Sequence, residues 1–149
     1  MSRRERRHGC RLRKGRVSMP GCVYSVTTVT RDRRVVFDDL VVARRLIGCL
    51  RGADGRGEVS TLAFCLMPDH LHWLFRLNGS ADLSTVVGRF KGDSARRVPA
   101  LRWQRGFHDH VVRAEEDLRR LARYVVANPV RAGLVAGVGG YPHWDAVWL

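Results

Sequence analysis

Apolar and polar positions recur with two different periods along this chain, and the periods predict its elements. Runs rich in β-branched and apolar residues predict four strands, over residues 22–30, 59–67, 70–77 and 103–112. The residues at 68–69 separate the second strand from the third, either as a tight turn or as a kink within one longer hairpin arm.

Three other segments carry the apolar spacing of a helix. The first begins at one of the aspartates at 38–39 and ends near residue 50, where glycines at 52–57 predict a loop. The second begins at Asp82 or Ser84 and fades near residue 98, and the third ends at Pro129. The order β-α-β-β-α-β-α has more strands than crossovers. It therefore predicts an α+β fold of ferredoxin-like type, a mostly antiparallel sheet with helices on one face.

The charge of the chain adds to the predicted fold by indicating what kind of partner the protein binds. The 149 residues carry 27 basic side chains and a net charge of +13, and 25 of those side chains are Arg, the better bidentate phosphate ligand. Residues 1–17 contain eight basic residues and one acidic residue, and we expect this tail to be disordered and to follow a phosphate backbone. We expect residues 18–149 to form one domain with an irregular C-terminal tail. A nucleic acid is the partner that this charge favours.

The absence of targeting signals and the cysteine usage favour the cytoplasm. The basic tail has no apolar region of a secretory signal, and no apolar run has the length of a membrane helix. The four cysteines include no C-x-x-C pair, so we expect free thiols and no zinc finger.

His70 and His72 are the strongest chemical feature of the chain. Residues i and i+2 of a strand point to the same face, so these imidazoles lie side by side while Leu71 points into the opposite layer. Two neutral imidazole nitrogens on a stiff strand form a good partial metal site. An H-x-H pattern also occurs by chance, and a second one, His108-Asp109-His110, is interpreted as a surface or DNA-facing segment because its middle residue is charged.

Tyr124 and Asn128 share one side of the last predicted helix, because they are four residues apart. A phenol can act as a nucleophile and an amide oxygen can bind a hard metal ion. Two structural roles remain open at this point. Tyr124 can be a core residue with a satisfied hydroxyl, and Asn128 can be an N-cap for a short helix that begins with Pro129.

Three segments in order and in register now resemble a known family: MPDHLHW, WQRGFHDHVVR and ARYVVANPVRAGLV. They are similar to the REP-associated tyrosine transposases, a group of the single-tyrosine HUH endonucleases, over the chain from about residue 23 onward. The resemblance implies the HUH endonuclease fold. It implies that His70 and His72 bind a divalent metal, Mg²⁺ or Mn²⁺, that Tyr124 is the nucleophile, and that Asn128 completes the metal shell. Insertion-sequence relatives often have Gln at the last position.

The function implied is DNA transposition and recombination, in a bacterial protein associated with the nucleoid. A metal-dependent single-strand endonuclease and strand transferase would cut and rejoin single-stranded or hairpin (REP-type) DNA through a 5′-phosphotyrosine link. Two alternatives stay open: a non-catalytic, domesticated repeat-DNA-binding protein, and a metal hydrolase that activates water. The oligomeric state, monomer or homodimer, also stays open. Basic residues on the second predicted helix, near the last predicted strand and beside Tyr124 are candidate phosphate partners, although each can equally be a solvated surface charge. They are Arg89, Lys91, Arg96, Arg97, Arg105, Arg113, Arg120 and Arg123.

Overall fold

A computed structural model describes residues 21–79, 81–112, 115–134 and 143–146 of the chain. Its strands and helices, in chain order, are β1 Val23–Val29, α1 Leu40–Gly55, β2 Val59–Met67, β3 His70–Leu77, α2 Leu83–Arg97, β4 His108–Val112, α3 Glu115–Val126, α4 Asn128–Arg131 and β5 Trp144–Ala146. A short 3₁₀ turn at Arg31–Arg33 follows β1.

The strands form one sheet in the order β4-β1-β3-β2-β5, and every neighbouring pair is antiparallel. β2 and β3 are joined by the two residues Pro68 and Asp69, with Met67 paired directly to His70, so this junction is a tight turn. The order of the first four strands is that of a ferredoxin-like sheet, and the predicted α+β fold is confirmed.

One face of the sheet, here called the helix face, is covered by α1 and α2. On β3 it carries Leu71, Trp73, Phe75 and Leu77, each no more than 1% exposed. Trp73 packs against Phe90 of α2 with ring centroids 5.2 Å apart. This apolar layer is the main core of the protein and the source of most of its burial free energy.

The other face, here called the site face, is partly covered by α3. The α3 residues Leu118, Ala122 and Val126 pack against Leu74 of β3 and its neighbours. Their spacing of four residues places them on one stripe of the helix. The prediction of helices on one face is therefore right for the two crossover helices, but α3 lies on the opposite face.

Several boundaries differ from the prediction for physical reasons. α1 continues through Gly52 to Gly55, because Ala53 extends its buried stripe and is only 1% exposed. β4 is shorter than predicted, because the chain bends at Gly106, with φ of +73°, between β4 and an isolated bridge of Trp103 to Thr30. β5, which pairs with β2, has only three residues and thus no periodic signal. The predicted caps are present, since Asp39 accepts from two backbone N–H groups of α1 and Asp82 from one of α2.

The expectation of free thiols is right for Cys49 and Cys65, which are buried. It is wrong for Cys22, which is disulfide-bonded. The predicted basic tail, residues 1–17, lies outside the described residues, as does most of the chain after residue 134. Within the part of the chain that the structure describes, no helix has the length and apolar content to cross a membrane.

Candidate active site

The two histidines of β3 meet on the site face. The Nε2 atoms of His70 and His72 are 3.1 Å apart, and their rings lie nearly perpendicular at 85°. Leu71 between them is fully buried on the helix face. The predicted alternation is therefore confirmed, with both imidazoles on the site face and Leu71 on the helix face.

The opposite ring nitrogens are held by oxygen atoms. Nδ1 of His70 lies 2.6 Å from Oδ1 of Asp69, and Nδ1 of His72 lies 3.1 Å from Oγ1 of Thr27. A carboxylate accepts the Nδ1–H of its histidine, and a hydroxyl oxygen can do the same. This assignment leaves both Nε2 lone pairs pointing at one another, an arrangement that a cation between them would stabilise.

The geometry fits a metal ion. With bonds of about 2.1 Å, two imidazole nitrogens on one metal lie about 3.0 Å apart at a right angle and about 3.4 Å apart at the tetrahedral angle. The observed 3.1 Å lies between these values. Among the described residues, no group of three or more His, Cys, Asp or Glu could hold an ion, so the histidine pair by itself is a partial metal site.

Asp69 is itself anchored by the turn that follows β1. The backbone N–H and the hydroxyl of Thr30 both donate to its carbonyl oxygen, at 2.9 and 3.0 Å. Arg33 reaches its carboxylate at 3.5 Å from a backbone with φ of +50°, which is uncommon for a residue with a side chain. Partial burial raises the pKa of Asp69, but its hydrogen bond to His70 and the charges of His70 and Arg33 outweigh burial and hold the pKa below its ordinary value.

The end of α3 lies beside the histidine pair. Val125 is buried against Cys65 and Met67, and these two β2 residues pair directly with His72 and His70. Directly paired residues of antiparallel strands share a face of the sheet. Tyr124, the preceding residue, is 57% exposed, so the alternative of a buried core tyrosine is wrong.

Asn128 opens the single turn of α4 and is partly buried. The N-cap of this turn is Ala127, with no side-chain capping bond, so the alternative of Asn128 as an N-cap is also wrong. The N–H of Ala127 still donates to the carbonyl of Arg123 at 3.0 Å. The backbone therefore continues almost helically from α3 to Asn128, and the spacing argument for Tyr124 and Asn128 holds.

The second H-x-H segment faces the same side of the sheet. His108 pairs with Thr27, which pairs in turn with His72, and both His108 and His110 are exposed. Two strand spacings, about 10 Å, separate His108 from His72. Among the described residues no three such side chains form a metal-binding group, so the two histidine pairs do not converge on one ion.

The candidate DNA contacts occupy different environments. Lys91 uses two of its three N–H donors on the carbonyls of Gln104 and Gly106, where it holds the loop before β4, and burial lowers its pKa. Arg113 lies outside the described residues. The others are exposed, namely Arg89, Arg96, Arg97, Arg105, Arg120 and Arg123.

Sequence reasoning missed Thr27 and Arg33 as supports of the site. Nothing in the sequence marks Thr27, because it reaches His72 only through the register of β1 on β3. Arg33 lies in a run of charged residues, and no sequence motif specifies the backbone conformation of that run. The sequence indicated a turn at Pro68-Asp69, and the structure shows that Asp69 also contacts the first histidine.

Comparison with known proteins shows the family to which this chain belongs. The family described as IS200-like transposases matches residues 18–128. The chain belongs to the IS200-like transposase family. A curated relative from Haemophilus influenzae, whose name assigns it to the REP-associated tyrosine transposases, is 29% identical over 99 residues. The match spans 56% of this chain and 56% of the relative, or about half of each. The family resemblance of the sequence motifs is thus confirmed.

Two solved structures share the fold. A REP-associated tyrosine transposase bound to a REP hairpin superposes with a TM-score of 0.76 and 23% identity, over 86% of this chain and 78% of that one. A crystal structure described as a transposase from Deinococcus radiodurans R1 gives a TM-score of 0.55 and 24% identity, over 76% of this chain and 95% of that one. At these identities the likeness extends to the fold alone.

Proposed function

We propose that this chain is a single-strand DNA endonuclease and strand transferase that forms a covalent link through Tyr124. The observation that supports this most directly is the pair of Nε2 atoms 3.1 Å apart beside the end of α3. Membership of a transposase family supports the DNA substrate, and the solved relative bound to a REP hairpin supports a hairpin as its form.

His70 and His72 would hold the ion, oriented by Asp69 and Thr27. When bound, a divalent metal such as Mg²⁺ or Mn²⁺ polarises a phosphate oxygen and offsets its charge. Asn128, one turn after the nucleophile, is the proposed third ligand from the protein. Its amide oxygen is a hard donor of the kind these ions accept.

Tyr124 would attack the scissile phosphorus with its phenol oxygen. The new bond joins that oxygen to phosphorus, the P–O3′ bond breaks, the phenol proton is lost and the 3′ oxygen gains a proton. The products are a 5′-phosphotyrosyl enzyme and a free 3′-OH. Because one phosphodiester replaces another, a 3′-OH from a second DNA end can reverse the step and complete transfer.

Exposure of Tyr124 suits this role, since a nucleophile at 57% exposure is open to a large substrate. The exposed Arg120 and Arg123 lie on the same helix and can neutralise phosphates that flank the scissile one. Arginine is suited to this because its planar donors bind phosphate in a bidentate manner.

The decisive experiment looks for the covalent link. The full chain is incubated with 3′-labelled hairpin oligonucleotides and Mg²⁺ or Mn²⁺, then denatured and separated by electrophoresis. We expect a labelled band at the mass of protein plus DNA, because the 5′-phosphate of the downstream fragment stays on Tyr124. Cleavage without this band would indicate hydrolysis by an activated water. Binding with neither cleavage nor a band would indicate a repeat-binding protein without catalysis.

A further inference from the structure

Gln104, Arg105 and Gly106 form a loop shortly before β4, here called the 104–106 loop, and a lysine of α2 holds it in place. Nζ of Lys91 donates to the carbonyl oxygen of Gln104 at 2.9 Å and also to that of Gly106. The two carbonyls on either side of Arg105 are thus bound by one ammonium group. Removing an ammonium group from water costs free energy, and these hydrogen bonds offset that cost. The loop therefore has a defined position relative to α2.

The 104–106 loop lies at the same end of the sheet as the histidine pair. The N–H of Gln104 donates to the carbonyl of Val29 at 2.9 Å, and Val29 pairs directly with His70 of β3. Two strand spacings, about 10 Å, separate Gln104 from His70. Only β1 therefore lies between the loop and the candidate active site.

The histidine pair lies between this loop and α3. Val125 of α3 packs against β2, which adjoins β3 on the side away from β1. On the β1 side, Thr27 and Val29 share the site face with the histidines and are partly exposed. The site face is therefore open to solvent between the histidine pair and the loop. A single DNA strand held at the pair can cross β1 toward the loop.

Arg105 has a guanidinium group that is not used within the described part of the chain. Its side chain is exposed and has no hydrogen bond or ion pair with any described residue. Arg102, three residues earlier, instead donates to the carbonyls of Pro99 and Leu101. A guanidinium group without a partner can use its planar donors on a phosphate.

We propose that Lys91 is a positioning residue, which holds Arg105 where it binds a phosphate of the DNA strand on the β1 side of the histidine pair. The inference rests on the proposed function, because it takes a single DNA strand as the substrate. Lys91 acts through Arg105 rather than on the DNA, since two of its three donors bind the loop. With the arginines of α3 on the other side, the strand would be held on both sides of the scissile phosphate.

The first test is a double-mutant cycle on DNA binding. Arg105→Gln, Lys91→Met and the double variant are titrated as full chains with a fluorescent hairpin that has single-stranded flanks, in chelator to prevent cleavage. Arg105→Gln should bind about tenfold more weakly. Its log–log salt slope should fall by about 0.7, the value for one phosphate contact to a single strand. Lys91→Met should also weaken binding, by several-fold, but should change nothing further when Arg105 is already replaced.

The control for this cycle is Arg51→Gln, on an exposed residue of α1, which should leave affinity and slope unchanged. Unchanged binding by Arg105→Gln or by Lys91→Met would overturn the proposal. Additive losses, with a further fall in slope for the double variant, would also overturn it, because Lys91 would then bind a phosphate itself.

Gly106 offers a way to displace the loop without removing a charge. Its φ is +73° and an added Cβ would meet no atom within 4 Å, so alanine strains the backbone without a clash. Gly57 has the same φ and equally open surroundings, but it precedes β2, at the far end from the histidine pair. Both alanine variants should lower the thermal midpoint by a few degrees. Only Gly106→Ala should weaken DNA binding, and only while Arg105 is present.

Equal DNA affinities of the two glycine variants would contradict the role of the loop. This comparison also decides the question in the case that Lys91→Met does not fold, because it leaves Lys91 in place.

The second test locates the phosphate that Arg105 binds. Uncharged methylphosphonate linkages replace the phosphates of the flanks one at a time, and binding is measured in chelator. In the wild type a position beside the scissile phosphate should be sensitive, and this sensitivity should disappear in Arg105→Gln but remain in Arg51→Gln. Superimposable profiles of the wild type and Arg105→Gln would overturn the contact. Both tests measure equilibrium binding, so their failure is distinct from the absence of a covalent adduct, which would refute the proposed catalysis.

Discussion

The two faces of the sheet are built from the same strands but differ in what their side chains do. On β3 the helix face carries Leu71, Trp73 and Phe75, all fully buried under α1 and α2. The site face carries His70 and His72, partly buried and bonded to oxygen atoms. Because alternate residues of one strand supply both faces, a substitution on one face leaves the side chains of the other face unchanged. The comparison predicts that mutations on the two faces separate stability from activity.

The largest effect is expected at the proposed nucleophile. Tyr124→Phe should reduce cleavage and adduct formation by about 10³-fold or more, because it removes the attacking oxygen. The free energy of unfolding should change by less than about 0.5 kcal/mol, since the side chain is 57% exposed. Gel assays and thermal unfolding measure the two quantities.

Tyr24 is the matched control, because it is buried on the helix face at 1% exposure. Tyr24→Phe should keep adduct formation. Normal adduct formation by Tyr124→Phe would refute the nucleophile assignment.

The second-largest effect is expected at the histidines of the site face, where alanine substitutions should distinguish the two pairs. His70→Ala and His72→Ala should each abolish metal-dependent cleavage and greatly weaken Mn²⁺ binding, because one of only two imidazole ligands is lost. His108→Ala and His110→Ala should keep metal-dependent cleavage and Mn²⁺ binding, since among the described residues these histidines form no metal-binding group with His70 and His72. Calorimetric titration with Mn²⁺ and cleavage assays with and without chelator measure this. Full cleavage in excess chelator would disprove the metal site, and loss of cleavage in the second pair alone would show that the wrong histidines were chosen.

Leu71→Ala tests the helix face at the residue between the two histidines. The free energy of unfolding should fall by about 2–5 kcal/mol, because a fully buried side chain is replaced by a cavity. Cleavage per folded molecule should stay within a few-fold of the wild type at low temperature. Denaturant unfolding and active-site titration by adduct formation measure these two quantities. A variant that is stable but inactive would show that the faces are not separable here.

The sequence predicted the sheet well where patterns were long and alternating. The bounds of β2 and β3 were predicted residue for residue, and so was the sharing of one face by His70 and His72, because strand periodicity depends only on backbone geometry. The helix caps Asp39 and Asp82 could also be predicted from the sequence, since capping is a local interaction.

Features that depend on contacts between distant segments were not predictable. Thr27 lies 45 residues from His72 and meets it only through strand register. The position of α3 on the site face depends on which side of the sheet its apolar stripe packs against. β5 is too short to show a period in its sequence. The proposed role of Tyr124 rests on resemblance to a family, and the exposure of its side chain could be seen only in the folded structure.

The smallest effect is expected from two adjacent threonines of β1 that point to opposite faces. Thr27→Val removes the hydroxyl 3.1 Å from Nδ1 of His72 without changing side-chain volume. Because that contact would hold the imidazole with Nε2 toward the proposed ion, Mn²⁺ affinity should fall by about 10–100-fold, with less effect on stability. Thr28→Val is the control on the helix face, where the Thr28 hydroxyl is buried with no hydrogen-bond partner among the described residues. It should leave Mn²⁺ affinity unchanged and keep or raise the free energy of unfolding, since an unsatisfied polar group is removed. Equal Mn²⁺ affinities in the two variants would mean that Thr27 does not position His72.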